Sequence, residues 1–303
     1  MKKSKLLLII MILCFSIFEL SYSDAKRVEK IENKQIKNNI VYFKNESVPF
    51  TGEFRGPGIN EEYKSGIKDG FFKGVILDGG KNFIYEGRYV EGIKHGQWVI
   101  KYPTGSNRAI LRYNYDKPHG QWAYFYETNK IESYENFEDG ILSGRVVSYD
   151  PKGNVKTQVT YRSGLLDGEA VFFHSPNVLD TTTVFSYGKL NGPIKMFSTD
   201  NIPLIEGTYK NNRRENIWKF FYKTGDIKTT VPYKNGLKDG KVIIYDKGGG
   251  VVLVSLFKNG NEVDDKGNII EKSQPFKDAI VERFKKFNRN LKFEKYDKLL
   301  SEL

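Results

Sequence analysis

Cysteine is nearly missing from this sequence of 303 residues: its one example, Cys14, lies within an N-terminal apolar stretch. That stretch reads as a removable segment. The chain beyond it has no cysteine, which excludes disulfides, thiol catalysis and cysteine–metal sites. Histidine is scarce as well, and His174 stands beside Ser175 with no partner constellation in view. His95 and His119 occupy equivalent places in Lys94-His95-Gly96-Gln97-Trp98 and Pro118-His119-Gly120-Gln121-Trp122. On the stacked hairpins derived below they would stand about 10 Å apart, two strand spacings, too far to share a zinc ion. Phosphate and calcium loops are lacking too. Gly248-Gly249-Gly250 is followed by neither Lys-Ser/Thr nor a helical pattern, so it reads as a hairpin turn. Asn261 to Asn268 is acidic with one glycine, but its spacing fails the calcium pattern. Glu61 and Glu62 are adjacent and would face opposite sides of a strand. The sequence predicts a non-enzymatic chain, with no catalytic, cofactor-binding or metal-ligating residues and no evident small-molecule substrate.

What the chain has in quantity is aromatic side chains, and they are periodic. Tyr89, Tyr113, Phe137, Tyr161, Phe185, Tyr209, Tyr233 and Phe257 recur every 24 residues. Three residues after each comes Gly92, Asp116, Gly140, Gly164, Gly188, Asn212, Gly236 or Gly260. Seven residues after each comes Gly96, Gly120, Gly144, Gly168, Gly192, Asn216, Gly240 or Asp264. A further column, Gly105, Asn129, Gly153, Asn177, Asn201, Gly225 and Gly249, holds only the two residues that most readily adopt positive φ. A fixed period of this length marks a repeat architecture. Each unit then has two turn sites, one between the two glycines of aromatic-x-x-Gly-x-x-x-Gly and one at the Gly/Asn column. The segments between them have ordinary strand lengths.

The arm before each loop alternates with period two, as in Ile227, Thr229, Val231, Tyr233 against Lys228, Thr230, Pro232. In the other arm Trp98, Trp122 and Trp218 share one column. Phe125, Tyr149, Phe173, Phe197, Phe221 and Tyr245 share another, three residues on and so on the opposite face. The expected fold is all-β: an elongated antiparallel meander of stacked 24-residue hairpins.

The pattern Tyr89-x-x-Gly92-x-x-x-Gly96-x-Trp98, with Tyr161-x-x-Gly164-x-x-x-Gly168 and Tyr233-x-x-Gly236-x-x-x-Gly240, resembles the MORN repeat in its 24-residue bacterial variant. Pro49-Phe50-Thr51-Gly52 is similar to the opening motif of exported or antitoxin-annotated members. The resemblance covers roughly two-thirds of the chain and implies the fold and no particular ligand, because the motif residues are turn and packing residues; an export segment followed by a repeat sheet with large aromatic faces reads as a non-enzymatic interaction scaffold. Antitoxin-like binding of a partner toxin, and association with anionic membrane lipid, are alternatives that the resemblance brings with it.

Taken in order, residues 1–23 read as a signal peptide. Lys2, Lys3 and Lys5 precede an apolar run from Leu6 to Phe18, and Ser21-Tyr22-Ser23 is a small-x-small cleavage signal. Cleavage would change the net charge from +11 to +9 and place the protein in the periplasm, outer envelope or exterior. Residues 24–62 form an N-terminal segment: a linker or short docking strand, then an irregular first hairpin from Val41-Tyr42-Phe43 and Phe50 to Phe54, with a loop over Arg55 to Asn60. The repeats occupy 63–264. Two extra residues between Gly79 and Tyr89 keep every side chain on its face. Residues 265–303 are expected to form a C-terminal amphipathic helical cap. Phe276, Ile280, Phe284, Phe287 and Leu291 have the helical period, and Val252, Val254 and Leu256 put apolar residues where other repeats are polar. Two basic clusters are candidate contacts: Lys210, Arg213, Arg214, Lys234 and Lys238 in successive loops, and Lys285, Lys286, Arg289 and Lys292 near the C-terminus. The expected partner is an unidentified protein or anionic envelope surface; nucleic acid does not suit an exported chain.

Overall fold

A computed structural model of the protein describes residues 26–271. The expected signal peptide, the helix from about Pro275 and the Lys285–Lys292 cluster lie outside them. Apart from one 3-10 turn at Ile31–Asn33, the described residues form strands and turns. They divide into two compact units, residues 26–75 with 88–93, and residues 76–87 with 94–271.

In the first unit Val28–Lys30 docks parallel to Gly52–Gly56, which in turn pairs with Ile59–Lys64. The docking strand among the two expectations for the N-terminal segment is therefore present. The expected first hairpin differs. Ile40–Phe43 pairs with Lys34–Lys37, and only one bridge, Tyr42 to Pro49, joins it to the next segment. The expected loop over Arg55 to Asn60 narrows to Pro57-Gly58, because its flanks carry ladder bonds. Val41, Phe50, Phe54 and Tyr63 make the core here. Gly52 has φ +146, and a Cβ there would collide with the Arg27 carbonyl of the docked strand, so the Pro-Phe-Thr-Gly motif marks a close backbone approach. Two glutamates are buried beside this strand. Glu53 contacts Arg55 and lies 3.3 Å from Lys26. Glu61 contacts Lys34 and accepts from the Tyr63 hydroxyl at 2.9 Å. The hydrogen bond from Arg55 holds the Glu53 carboxyl below its ordinary pKa.

The second unit is the meander. From Ile93–Lys101 and Asn107–Asn114 onward, each arm pairs antiparallel with the next, through Val251–Lys258 to Asn261–Val263 and Ile269–Glu271. Residues 269–271 are thus a strand where the C-terminal cap is expected to begin, and the ladder runs past Val251–Lys258. The Gly/Asn column has the expected conformation throughout, from φ 60 at Asn177 to φ 97 at Gly153. All but the Asn177 turn close five-residue loops with a bulge, as where Tyr102 N–H bonds the Ser106 carbonyl, Gly105 N–H bonds Tyr102, and the ladder slips one residue at Ile100/Lys101; at Asn177 the ladder continues to Ser175 and Val178.

The other turn is smaller than the sequence suggests. Arg162 pairs directly with Leu165, leaving Ser163 (φ 49) and Gly164 (φ 77) as the two central residues of a type I′ hairpin. The second motif glycine lies at or in the following strand. At Gly168 it follows a slip between Val159/Tyr161 and the partner strand, so it serves a bulge and not a loop end.

One face of each arm is packed. Tyr113, Phe137, Tyr161, Phe185 and Tyr209 are all at most 4% exposed, and Trp122 and Trp218 are at 0%. Each tryptophan bridges two rungs of the aromatic ladder. Trp122 lies 5.2 Å from Tyr113 and 4.8 Å from Phe137; Trp218 lies 5.0 Å from Tyr209 and 6.0 Å from Tyr233. Across the hairpin Gly87 faces Trp98 and Gly207 faces Trp218, each so closely that a Cβ would lie inside the indole. Phe83 and Tyr85 are buried, so the insertion after Gly79 preserves the face as expected. Phe125, Tyr149, Phe173, Phe197, Phe221 and Tyr245 are half-buried.

Candidate interaction edge

The type I′ turns of the second unit come to one edge and are tied together there. The N–H of the third residue after each aromatic donates to a carbonyl one repeat earlier: Asp116 to Lys94, Gly140 to Pro118, Gly164 to Leu142, Gly188 to Leu166, Asn212 to Leu190, Gly236 to Arg214 and Gly260 to Lys238, all at 2.8–2.9 Å. The two non-glycine occupants add a second bond. Asp116 and Asn212 accept the N–H of Lys94 and Leu190 on their side-chain oxygens at 2.8 and 2.7 Å. The motif's departures from glycine therefore strengthen the stack.

The five basic candidates separate. Lys210, Arg213 and Lys234 are exposed on this edge. Arg214 is only 7% exposed and turns inward, its guanidinium 4.3 Å from the Trp218 ring and 5.3 Å from Tyr233, with a hydrogen bond to the Tyr233 hydroxyl at 3.2 Å. Lys238 is half-buried with its amine 4.5 Å from the Phe257 ring, and Lys94 lies likewise over Tyr113 at 5.3 Å. Cation–π contacts of about 0.5–2 kcal/mol each make this column part of the packing. The signal is present in the sequence: in the intervening repeats the same column holds Pro118, Leu142, Leu166 and Leu190, residues that want burial. Sequence reasoning missed four exposed cations on the edge: Lys117 and Lys189 share the position of Arg213, and Arg162 and Lys258 that of Lys234.

Two of the three histidines have packing roles. His174 stands in the column of Tyr102, Tyr126 and Tyr222, whose hydroxyls donate to carbonyls one repeat on, Phe125, Tyr149 and Tyr245, at 2.7–2.8 Å. His174 Nε2 makes the same bond to Phe197 at 3.0 Å, which fixes the proton on that nitrogen. The His95 ring lies 5.1 Å from Tyr115, and His119 is exposed. Among the described residues no three His, Cys, Asp or Glu side chains converge on a metal-sized site. The acidic segment ending at Asn268 is a turn. Asp264 accepts the N–H groups of Lys266 and Asn268 at 2.9 and 2.8 Å and the Asn268 amide at 2.9 Å, which lowers its pKa and occupies its oxygens.

Two-residue turns at 24-residue intervals, tied to one another and backed by an aromatic ladder, are the geometry behind the motif. The MORN repeat variant family model matches residues 118–139, 142–163 and 214–235. These three stretches match as MORN-variant repeats. The MORN motif residues supply turns and packing, and what varies from repeat to repeat is the exposed edge. No curated protein matches the chain. Among solved structures, a crystal structure of choline binding protein F from Streptococcus pneumoniae, in the presence of a peptidoglycan analogue, is similar at 13% identity over 79% of this chain and 98% of that one, with a TM-score of 0.19. At that score the backbones do not share an overall arrangement, and the likeness carries no functional argument.

Proposed function

We propose that the chain is an exported, non-enzymatic repeat scaffold that binds a protein or an envelope surface through its type I′ turn edge. The observation that supports this reading is the division of labour within each MORN repeat. The recurring residues are consumed by turns and packing, while the edge exposes side chains that differ from repeat to repeat, among them Tyr115 at 63%, Ile141 at 50%, Tyr187 at 73% and Leu237 at 49%. Fractionation followed by pull-down from envelope extracts tests it. The expected result is an envelope-located mature chain lacking residues 1–23, with captured partners that are lost when Tyr187 and Leu237 are replaced by serine. A purely cytosolic chain with residues 1–23 intact overturns it.

The same reading includes the C-terminal cap. Val251, Val252, Leu253 and Val254 are consecutive on one strand and all at least 50% exposed. The apolar series Phe276, Ile280, Phe284 and Phe287 has the chemistry to cover them. A chain truncated after Glu271 is expected to aggregate. A truncated chain that stays monomeric and melts like the parent assigns those residues to partner binding instead.

A further inference from the structure

The turn edge changes character along the array. Over residues 94–184 the chain carries ten Lys and Arg against ten Asp and Glu; over 185–260 it carries thirteen against six. The excess is ordered. The residue that opens the type I′ turn is Asn114, Glu138, Arg162 and Ser186 in four consecutive repeats, then Lys210, Lys234 and Lys258 in the next three. Each of these three lysines is exposed, and none has a carboxylate within 4.0 Å among the described residues. Arg213 and Lys189 flank the row, also exposed. The nearby acids are directed elsewhere. Glu215 accepts the N–H of Asn235 at 2.8 Å, and Asp239 that of Asn259 at 3.3 Å. Neither carboxylate forms an ion pair with a lysine of the row.

The row has a fixed pitch. Successive turns are locked by the Gly236-to-Arg214 and Gly260-to-Lys238 backbone bonds, so their lysine Cα atoms repeat at two strand spacings, about 9.4–9.8 Å. A polyproline II segment has three residues per turn at about 3.1 Å each, so every third side chain lies on one face at about 9.3 Å. We infer that Lys210, Lys234 and Lys258 form a docking row for an extended acidic polypeptide with Asp or Glu at every third position. The inference rests on the scaffold reading above and names the partner's chemistry. A peptide suits the edge better than a membrane does, because the cations form a single file and exposed Leu237 and Ile217 lie beside them to receive apolar side chains.

Fluorescence anisotropy on the purified full chain tests the row, with a labelled peptide of repeated Pro-Pro-Glu triplets and a second peptide of the same length and composition in which the glutamates are gathered at one end. The expected result is tighter binding of the triplet peptide and its loss by about tenfold or more when Lys210, Lys234 and Lys258 are all changed to Glu. The control reverses the same number of charges away from the row, at Lys219, Lys223 and Lys247, and is expected to retain most of the affinity. Melting curves confirm that both triple variants fold. Equal binding of the two peptides, equal loss in the two variants, or no binding of either peptide overturns the inference. So does binding to phosphatidylglycerol vesicles without binding to the peptide, which assigns the row to lipid. None of these outcomes depends on where the protein resides, so the inference and the localisation reading fail separately.

Discussion

The two turn edges of the second unit solve the same problem by different means. At the type I′ edge the repeats are tied by main-chain bonds, N–H to carbonyl, in every repeat from Asp116 to Gly260. At the opposite edge side chains are committed instead, some to a tie between repeats and some to the turn itself. Tyr102, Tyr126, His174 and Tyr222 reach forward to the next repeat. Asp150, Ser198 and Asp246 instead fold back onto their own turns, accepting N–H groups two and four residues on. A main-chain tie needs only the right backbone conformation, so the first edge leaves its side chains free to vary. The second edge commits its side chains to structure. This is the physical reason for seeking a partner on the first.

Substitutions can break or sharpen that contrast. The largest effect is expected from Gly240→Val, on the type I′ side. Gly240 has φ +119, and a Cβ there would lie 2.9 Å from Pro232; strain and overpacking together should cost about 3 kcal/mol. Lys241→Val, one residue on and exposed, should change denaturant unfolding little. Comparable melting of the two variants would remove the special status of that bulge. Asp116→Ala is expected to cost about 1–2 kcal/mol, since it places alanine at φ 61 and removes the acceptor for Lys94 N–H. Asp116→Gly should cost less, because glycine relieves the conformational part. On the opposite edge Tyr126→Phe should cost about 1 kcal/mol, the net value of one hydroxyl-to-carbonyl bond.

The smallest effect is one of pH. The amide and N–H groups of Asn154 hold the Asp150 carboxyl below its ordinary pKa. A depressed folded-state pKa gives stability that is present above the ordinary carboxylate value, about 4, and is lost as pH falls through the folded value. The protection of the Lys152 and Asn154 amides, their exchange measured against the intrinsic rate at each pH, should therefore fall in acid in the parent. In Asp150→Asn that acid dependence should vanish.

Much of this contrast can be read from the sequence, and the parts that cannot have identifiable causes. Columns of Gly and Asn announce positive φ, and every member of the Gly105-to-Gly249 column has it. What a column cannot distinguish is a turn from a bulge, since both want the same dihedral. That is why the sequence pattern draws the loop out to Gly168 when it ends at Leu165. The basic candidates divide for another reason. Arg213 and Arg214 are neighbours on a strand and so face opposite ways. Treating them as one cluster ignores the alternation that locates the strands. The N-terminal hairpin departs from expectation because Asn38 (φ 51) and Asn39 (φ 62) close a two-residue turn that pairs Ile40–Phe43 with Lys34–Lys37.

The pairing of Gly87 with Trp98 and of Gly207 with Trp218 bears on modularity. Each pair spans a type I′ turn, so the matched halves lie on either side of it in the chain. The stretches that the family model matches run from one such turn to the next, and 214–235 contains Trp218 without Gly207. A graft cut on those boundaries would set an indole against whatever residue the host supplies. A cassette cut at the opposite edge, from Asn201 to Gly225, carries the indole and the space it occupies together. The unit that can be moved, duplicated or deleted without loss of fit is thus half a period out of phase with the unit most visible in the sequence.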